Sequence, residues 1–364
     1  MFSLRRSLLV VAPLALFLVL AGSVQSRPAD RPAAASAHVA GVVRKPVKPL
    51  KRSRPVAADP SLPNDPLWRD SWSLTKVRAP AAWKVTRGTA EVVVAVLDTG
   101  VDAKHPDLQG ALVQGWDAVN EDADANDDHG HGTLVAGVVA ARSNNGIGGV
   151  GACSRCSVMP VKVIGPDGRG SAADITEGII WAADHGARVI NLSFVMSGRD
   201  EGIASALGYA RSKGVLIVAA AGNSGSADVT FPASEPGVVS VTGTDAADGR
   251  YAWANYGSWV MLAAPGCSPS TKAGGGYVDF CGTSSAAAFA SGVAALARSA
   301  SLSAPPEQIV AAMSSNAVRV GDFVATGRVD AAATTATLSV GCCAPAAPPA
   351  DDHHDRPEPL PNQL

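Results

Sequence analysis

Four polar residues stand where apolar runs end or where runs of small residues begin, and together they could cleave an acyl bond. Asp98 and Asn223 each follow an apolar, strand-like run, whereas His131 and Ser284 each open a small-residue run that predicts a helix. Open α/β sheets place their functional sites at the ends of strands and the starts of helices. An acid, a base, an amide donor and a nucleophile at such positions predict acyl transfer at a serine.

Each of these residues also has a purely structural interpretation. Ser284 is a natural helix N-cap, Asp98 a turn-forming residue, and Asn223 a turn residue at the end of a strand. Each structural interpretation is plausible for its own residue, but together they explain poorly why all of these residues occur in one chain. His129 lies close to His131, but only His131 is followed by Gly-Thr and an apolar helix. His131 is therefore the predicted base, and His129 is predicted to be a polar surface residue.

The predicted elements alternate along the chain. Strands are predicted at residues 91–98, 157–164, 188–194, 215–220 and 238–242. Helices are predicted at residues 131–141, 172–185, 202–213, 284–300 and 306–314. The alternation indicates an α/β fold, a doubly wound and mostly parallel sheet with helices on both faces. A β-rich stretch at residues 251–280 precedes the helix that carries the serine.

Length and charge limit the classes of function. The 364 residues are enough for one large domain, placed at residues 63–340, with tails on both sides. The net charge of −2 gives no electrostatic argument for binding nucleic acid. No glycine-rich phosphate loop follows the first strand, which argues against a nucleotide-binding protein. We expect a monomer whose partners are protein or peptide substrates.

The N-terminus has the pattern of an export signal. Residues 1–26 contain two arginines, an apolar run at residues 8–20 and small residues at the end, which predicts a signal peptide cleaved after residue 26. The apolar run is short for a membrane span, although an uncleaved anchor stays open. The sequence therefore predicts a secreted protein, extracellular or periplasmic, that is free of the membrane after cleavage.

The two tails lack any sustained period. Residues 27–62 are rich in Pro, Ala, Arg and Lys, which predicts a disordered linker or a short propeptide. Residues 341–364 form a Pro-rich tail that is predicted to be disordered. Its cluster at residues 351–355 contains aspartates and histidines, which could bind a metal but are more typical of a solvated tail.

The six cysteines allow fifteen full pairings. Cys267 and Cys281 flank a predicted hairpin, in which opposed cysteines can meet disulfide geometry. Cys153 and Cys156 could serve redox chemistry or bind zinc, but the absence of a second nearby pair favours a local structural disulfide. An exported protein permits both bridges.

Four short motifs follow one another along the chain: Asp98-Thr99-Gly100, His131-Gly132-Thr133, Ala221-Gly222-Asn223 and Gly282-Thr283-Ser284. With them, the sequence resembles the subtilisin-like serine proteases (subtilases), most closely their thermitase-like branch, from about residue 63 to residue 330. The resemblance implies a serine endopeptidase in which Ser284 is the nucleophile, His131 the general base and acid, and Asp98 the carboxylate that fixes the imidazole tautomer. Asn223 would donate to the oxyanion.

The resemblance also implies a peptide-binding cleft. Gly168-Arg169-Gly170 would pair with an extended peptide through backbone hydrogen bonds, and Ser193 would begin the opposite binding strand. The family usually continues Leu-Gly-Gly after that serine, whereas this chain has Phe194-Val195-Met196. The added side chains predict a narrowed or altered pocket that favours small residues before the scissile bond.

A calcium site is implied by the same resemblance. The ligands would be the carboxylates of Asp65 and Asp107, the side chain of Asn145, and the carbonyls of Ser143, Ile147 and Gly149. The structural alternative is a simple Asn-Gly turn. A second calcium site would use an oxygen-rich loop of Asp117, Asn120, Asp122, Asp124 and Asn126. Its alternative is a solvated acidic loop.

Two other functions remain beside a general secreted endopeptidase. Val195 and Met196 favour a processing protease of narrow specificity. A non-catalytic surface or binding protein could also keep the fold, but the presence of Asp98, His131 and Ser284 together with Asn223 argues against it.

Overall fold

The computed structural model describes residues 36–39, 43–46 and 62–341, all within one structural unit, residues 35–364. The predicted signal peptide, most of the predicted linker, Cys342, Cys343 and the cluster at residues 351–355 lie outside the described residues.

The described strands follow one another in chain order. They are β1 (Ala37–His38), β2 (Val43–Pro46), β3 (Val93–Asp98), β4 (Trp116–Asp117), β5 (Ser157–Lys162), β6 (Arg169–Gly170), β7 (Val189–Leu192), β8 (Val195–Met196), β9 (Leu216–Ala220), β10 (Val238–Thr244), β11 (Leu262–Pro265), β12 (Cys267–Thr271), β13 (Tyr277–Cys281) and β14 (Gly327–Arg328).

The described helices are α1 (Trp72–Lys76), α2 (Ala79–Ala82), α3 (His131–Ala140), α4 (Ala172–Asp184), α5 (Glu201–Ser212), α6 (Thr283–Ala300), α7 (Pro306–Ser315) and α8 (Ala331–Gly341). Two short 3₁₀ helices, Pro66–Asp70 and Pro106–Leu108, add to them. Over the described part of the chain, no helix combines the length and the apolar character that a membrane span requires.

A central sheet of eight strands has the order β14-β11-β10-β9-β7-β3-β5-β4, and its neighbouring strands are parallel. The side chains of β3 alternate between two hydrophobic clusters, with Val94 and Val96 in one and Ala95 and Leu97 in the other. Helices α3 and α6 contribute to the first cluster, and α4 and α5 to the second. Because both faces of the sheet are covered, β9 is apolar throughout and β3 is apolar up to Asp98.

The predicted α/β fold is confirmed. Each of the ten predicted strands and helices is present with ends within two residues of those expected. Helix α8 was not assigned from the sequence, because its run of Ala, Thr and small residues has no distinct polar face.

Both predicted disulfides are present, Cys153–Cys156 and Cys267–Cys281. Cys267 and Cys281 are opposite one another in the antiparallel pair β12 and β13, as the hairpin interpretation requires. The Cys153–Cys156 bridge is the local disulfide that the sequence favours.

Two small antiparallel sheets lie beside the main one, with strand orders β6-β1-β8 and β12-β13-β2. Strands β1 and β2 belong to the region 27–62, for which the sequence predicts no regular structure. Neither strand has an apolar alternation of its own that reveals it. Their backbone instead pairs with edges that the domain already provides, so tertiary pairing rather than local pattern makes them strands.

Candidate active site

A buried carboxylate and a buried imidazole form the centre of the site. Asp98 is the last residue of β3, and His131 is the first residue of α3. Oδ1 of Asp98 lies 2.8 Å from Nδ1 of His131, and both side chains are fully buried. The carboxylate can only accept, so Nδ1 carries the proton in this pair. The proton on Nδ1 leaves Nε2 of the neutral ring as the acceptor, which is the form that a general base needs.

Glycine at position 132 makes this contact possible. A Cβ on Gly132 would lie 2.1 Å from the carbonyl oxygen of Gly100 and 3.1 Å from Cβ of Asp98. Any side chain at position 132 would push α3 away from the end of β3. The close packing of the helix against the strand therefore requires glycine after His131. The sequence motif His131-Gly132-Thr133 therefore describes a close approach of helix and strand.

Asp127, which the sequence analysis did not single out, fixes the start of α3. Its Oδ1 accepts from Thr99 Oγ1 at 2.8 Å and from the Gly130 N–H at 2.6 Å. Its Oδ2 accepts from the N–H of Thr133 at 2.9 Å and from the Thr133 hydroxyl. A buried carboxylate thus ties the turn after Asp98 to the first turn of α3. An acidic residue four positions before a helical His was the available signal.

A buried lysine supports the same turn. Lys162 ends β5 opposite Asp98, and its Nζ donates to the carbonyl oxygens of Thr99 at 3.2 Å and Ile164 at 3.1 Å. The ammonium also pairs with Asp128 at 2.6 Å. These bonds hold the chain that leaves Asp98, so the carboxylate has little freedom to turn away from His131. A lysine inside an apolar strand was the sequence signal for this role.

The serine hydroxyl lies at the start of α6. Ser284 is the second residue of that helix, and its Oγ donates to the carbonyl oxygen of Ser193 at 3.1 Å. Nε2 of His131 is buried and has no hydrogen-bond partner among the described residues. The Phe280 ring meets the His131 ring edge to face at 5.5 Å between centroids, which restricts the tilt of the imidazole. His131 therefore has a buried ring nitrogen without a partner among the described residues, and the hydroxyl of Ser284 is bonded to the carbonyl of Ser193.

The side-chain amide of Asn223 provides a hydrogen-bond donor near the start of α6. Its Oδ1 accepts from the N–H of Thr283 at 2.8 Å and from the Thr283 hydroxyl at 3.0 Å, which fixes the orientation of the amide. Its Nδ2 is buried and has no partner among the described residues. A Cβ on Gly282, whose φ is +144°, would lie 3.3 Å from Nδ2, so glycine leaves room beside the donor. A buried donor without a partner is expensive unless it is kept for a ligand.

The loop that carries Asn223 is fastened by Asn255, which the sequence analysis missed. The Nδ2 of Asn255 donates to the carbonyl of Ala221 at 2.9 Å, and its Oδ1 accepts from the N–H of Ser224 at 3.0 Å. Asn255 is fully buried, and no local pattern in the sequence indicates this contact.

The two predicted binding strands are the neighbours of β1 in the small sheet β6-β1-β8. Arg169 and Gly170 form β6, and Val195 begins β8 after Ser193, whose carbonyl holds the serine hydroxyl. The side chain of Phe194 is fully buried in a hydrophobic cluster that also contains Ala37 of β1, and its predicted place beside the pocket stays a prediction. Met196 is buried in the same cluster.

Val195 is half-buried and lies close to the loop that carries Asn223. Its Cγ1 lies 3.3 Å from the position of a Cβ on Gly222, the residue before Asn223. The side chain of Val195 therefore lies against the loop that carries Asn223. His129, predicted to be a surface residue, is half-buried, and its Nε2 lies 3.3 Å from the position of a Cβ on Gly168. Its ring thus borders the cleft.

Comparison with known proteins agrees with this geometry. The model described as "Subtilase family" matches residues 89–341. Thermitase of Thermoactinomyces vulgaris is 38% identical over 274 residues, which are 74% of this chain and 97% of thermitase. The chain belongs to the subtilase family. Subtilases are serine endopeptidases, so this protein is a hydrolase that acts on peptide bonds.

Further relatives support the assignment of this subtilase. Subtilisin BL of Lederbergia lenta is 37% identical over 267 residues, covering 72% of this chain and 98% of that protein. The thermophilic serine proteinase of Bacillus sp. (strain AK1) is 43% identical over 216 residues, covering 59% of this chain and 54% of the relative. A protease structure from Pseudoalteromonas arctica PAMC 21717 superposes with a TM-score of 0.72 at 33% identity, over 76% of this chain and 99% of that one.

The first predicted metal loop of the subtilase brings two buried carboxylates together. Asp65 accepts from the N–H of Asn144 at 2.8 Å, and Asp107 accepts from Nδ2 of Asn145 at 2.8 Å and from the N–H of Gly149 at 3.1 Å. Burial raises the pKa of Asp107 to about 6; hydrogen bonds from Asn145 and Gly149 oppose the rise, and the neighbouring charge of Asp65 adds to it. Predicted ligand residues from distant parts of the sequence thus meet at one loop.

The second predicted loop is arranged differently. Asp117 is buried, and its carboxylate accepts from the N–H of Val119 at 2.8 Å and from the N–H and Nδ2 of Asn120 at 3.0 and 2.8 Å. Asp122 and Asp124 are exposed. Among the described residues, no group of three or more His, Cys, Asp or Glu side chains is placed to hold a metal.

Proposed function

We propose that this subtilase is a secreted serine endopeptidase that cleaves peptide bonds through an acyl-enzyme on Ser284. The observation that carries the proposal is the buried pair of Asp98 and His131, 2.8 Å apart, with Nε2 of His131 left without a partner. The predicted signal peptide of the chain supports secretion. We expect a monomer with protein or peptide substrates.

The first half of the reaction forms the acyl-enzyme. The hydroxyl of Ser284 turns from the carbonyl of Ser193 to Nε2 of His131, which takes its proton as Oγ attacks the substrate carbonyl. Asp98 accepts from Nδ1–H, which keeps Nε2 unprotonated beforehand and stabilises the imidazolium afterwards. His131 then gives the proton to the leaving amine. In the second half, His131 takes a proton from water, which hydrolyses the ester and restores the serine.

Two donors would stabilise the oxyanion. They are Nδ2 of Asn223 and the backbone N–H of Ser284, which lies in the first turn of α6, where N–H groups have no intrahelical partner. The positive end of the α6 dipole adds to the field at the same point.

Replacing Asn223 with alanine is expected to lower kcat about 100- to 1,000-fold with little change in KM, because the donor acts only on the charged intermediate. That magnitude is the established effect of removing this kind of donor in subtilisin, a relative of this chain. Steady-state kinetics on a chromogenic peptide provide the measurement. Thermal melting of the variant is the control, and a variant with unchanged kcat would remove Asn223 from the oxyanion site.

We expect the substrate to lie as an extended strand between β6 and β8. Gly168, Arg169 and Gly170 would pair with one edge of the peptide, and Ser193 and Val195 with the other. Backbone pairing gives affinity, and the side chain before the scissile bond enters the space between Val195 and Gly222.

Val195 should restrict that space to small side chains, which favours the narrow, processing type of endopeptidase over a general one. We expect Val195→Gly to raise kcat/KM for peptides with Phe before the scissile bond by about tenfold or more relative to those with Ala. Val195→Thr has the same shape and is the matched control, which should keep the wild-type preference. A wild-type enzyme that is indifferent to the residue at this position would contradict the role of Val195.

One structural calcium ion is part of the proposed function. Asp65, Asp107 and Asn145 would hold it with the carbonyls of Ser143, Ile147 and Gly149. The donors are all oxygens, which suits Ca²⁺, and the two buried carboxylates form a negatively charged pair that a divalent cation would neutralise. When bound, the ion supplies charge neutralisation that ties the segment before α1 to the loop after α3. A second ion at Asp117, Asp122 and Asp124 stays a prediction.

The stabilising effect of calcium is expected to depend on pH. The pKa of Asp107 is raised from 3.8 to about 6 in the folded protein without metal, so stability from this group is lost as pH rises through that window. Calcium binds the carboxylate form, so the gain in melting temperature on adding calcium should be full above about pH 6 and fade below it. Melting with calcium or a chelator from about pH 5 to about pH 8 tests this.

The matched variants for this prediction are Asp107→Asn and Asp117→Asn. Asp107→Asn should abolish the calcium effect. Asp117→Asn should leave it largely intact if the ion is held by Asp65, Asp107 and Asn145. A calcium effect of constant size across the pH range, or one that survives Asp107→Asn, would contradict the assignment.

A further inference from the structure

A buried asparagine stands in the middle of the central sheet, two residues before Ser193. Asn191 belongs to β7, and its backbone is opposite Val96 of β3 on one side and Val218 of β9 on the other. The residue is 0% exposed. A buried amide costs free energy unless its polar atoms are hydrogen-bonded, so the partners of Asn191 indicate what this polar side chain does in an apolar layer.

The amide of Asn191 joins two serine hydroxyls. Its Oδ1 accepts from Oγ of Ser291 at 2.9 Å, and its Nδ2 donates to Oγ of Ser193 at 2.8 Å. Ser291 lies in the middle of α6, and Ser193 directly follows β7. Both serines are fully buried. Ser291, Asn191 and Ser193 thus form a buried polar network that connects α6 with the end of β7.

The network reaches the nucleophile through Ser193. The Oγ of Ser193 donates to the carbonyl oxygen of Ser284 at 3.3 Å, and Oγ of Ser284 donates to the carbonyl oxygen of Ser193 at 3.1 Å. Each of these two residues donates its hydroxyl to the backbone of the other. The pair of bonds holds both the backbone of Ser284 and the resting direction of its hydroxyl.

The carbonyl of Ser284 fixes the direction of every bond in the network. A carbonyl oxygen can only accept, so the hydroxyl proton of Ser193 is committed to Ser284. Oγ of Ser193 then accepts from the amide nitrogen of Asn191, which turns Oδ1 of Asn191 towards Ser291. Ser291 is therefore the first donor in a series of three hydrogen bonds that ends at the nucleophile.

Ser291 lies seven residues after Ser284 in the same helix. Seven residues are about two turns, which places both on the same face of α6 about 10 Å apart along its axis. At that distance the hydroxyl of Ser291 does not touch the reacting atoms. An effect of Ser291 on the reaction has to pass through Asn191 and Ser193.

We propose that Ser291 is a positioning residue, which acts through Asn191 and Ser193 to hold Ser284 in place for attack. This inference rests on the proposed function of Ser284. Without the hydroxyl of Ser291, Oδ1 of Asn191 loses its donor and the amide is free to rotate. Ser193 then holds the nucleophile less firmly, and small displacements of a reacting atom slow a reaction strongly.

The predicted peptide-binding strand β8 has support of its own. The N–H of Met196 donates to the carbonyl of Phe231 at 2.8 Å, a bond that does not involve the buried polar network. Loss of the network should therefore affect the placement of Ser284 more than the affinity for a peptide. The expected signature is a lower kcat with nearly unchanged KM.

Ser291→Ala in the full chain is the first test, measured by hydrolysis of a chromogenic peptide. We expect kcat to fall about tenfold, the size of effect of one hydrogen bond, and KM to stay within about twofold. The rate of fluorophosphonate labelling at Ser284 should fall by a similar factor, because the probe reports on the serine without a bound peptide. Wild-type values of kcat and labelling rate in Ser291→Ala would overturn the inference.

Ser240→Ala is the matched control for the loss of a buried hydroxyl. Ser240 lies in β10, and its Oγ donates to the carbonyl of Trp259 at 3.0 Å and accepts from the N–H of Met261 at 2.9 Å. The variant should lower the melting temperature and leave kcat near that of the wild type. An equal fall of kcat in Ser240→Ala and Ser291→Ala would assign the effect to general destabilisation and overturn the positioning role.

A double-mutant cycle with Ser193→Ala tests the route. Ser193→Ala removes the hydroxyl that links Asn191 to Ser284 but keeps the carbonyl that accepts from the Ser284 hydroxyl. Its kcat should fall at least as far as that of Ser291→Ala, and the double variant should be no slower than Ser193→Ala alone. Losses that multiply, or a Ser193→Ala enzyme with wild-type kcat, would overturn the inference.

The wild type separates this inference from the proposed function. A wild type that cleaves the peptide and is labelled at Ser284, together with an unchanged Ser291→Ala, overturns the positioning role alone. A folded wild type that neither cleaves the peptide nor is labelled overturns the proposed function and this inference with it.

Discussion

Replacing His131 with alanine is expected to lower kcat by about six orders of magnitude, because Ser284 then has no base within reach. Ser284→Ala should cause a loss of similar size, and the double variant should be no worse than either single one, since the two residues act as a unit. The magnitude is that of the equivalent losses in subtilisin, a relative. Hydrolysis of a chromogenic peptide by the purified protein in calcium gives the measurement.

His185→Ala is the matched control for this prediction. His185 is the exposed residue that directly follows α4, and its ring stacks on Trp181. Its replacement should change kcat little, as for most surface substitutions. A His131→Ala variant with kcat near that of the control would show that another group activates the serine.

The second large effect is expected for Asp98→Asn, which should lower kcat about 10,000-fold. The asparagine amide would donate to Nδ1 of His131, and the proton of the neutral ring would then sit on Nε2, where it prevents base catalysis. Oδ1 of Asp98 accepts from both Nδ1 of His131 and the N–H of Thr99, each at 2.8 Å, so an amide nitrogen that faces His131 would also face that N–H. The turn is still held by Asp127 and Lys162, so the expected change is in the tautomer, and thermal melting of the variant checks that the fold persists.

The readout for Asp98→Asn is kcat separated from KM. The cleft edges β6 and β8 are unchanged, so KM should stay close to that of the wild type while kcat falls. Asp117→Asn is the matched control, because Asp117 lies outside the set of Asp98, His131 and Ser284. It should keep kcat. An Asp98→Asn enzyme that loses substrate binding instead of kcat would contradict a role in fixing the imidazole.

The fold was predictable because its strands and helices each carry their own signal. The apolar run that ends at Asp98 and the small-residue run that begins at His131 both predict elements whose ends meet in a parallel sheet. The site was predictable for the same reason. Each polar residue at the end of such a run could have a structural role alone, but no single structural role explains all four. Asn223 and Ser284 belong to the same pattern.

Other parts required the three-dimensional structure. Asp127 and Lys162 hold the turn after Asp98 only because three separate elements converge there, and neither residue stands in a local pattern that names its partners. Phe194 lies between β7 and β8, and its side chain is fully buried in a hydrophobic cluster that the sequence alone does not reveal. Strand β1 depends on the cleft edges with which it pairs, so its own residues do not reveal it.

The most direct test of the account is labelling of the full chain with a fluorophosphonate probe, with the labelled residue identified by mass spectrometry. The control residue is Ser285, the next residue of α6, whose buried hydroxyl has no partner among the described residues. Wild type and Ser285→Ala should both be labelled at Ser284, and Ser284→Ala should remain unlabelled. A folded, calcium-loaded wild type that reacts at no serine, or reacts at Ser285 instead, would contradict the claim that Asp98 and His131 activate Ser284.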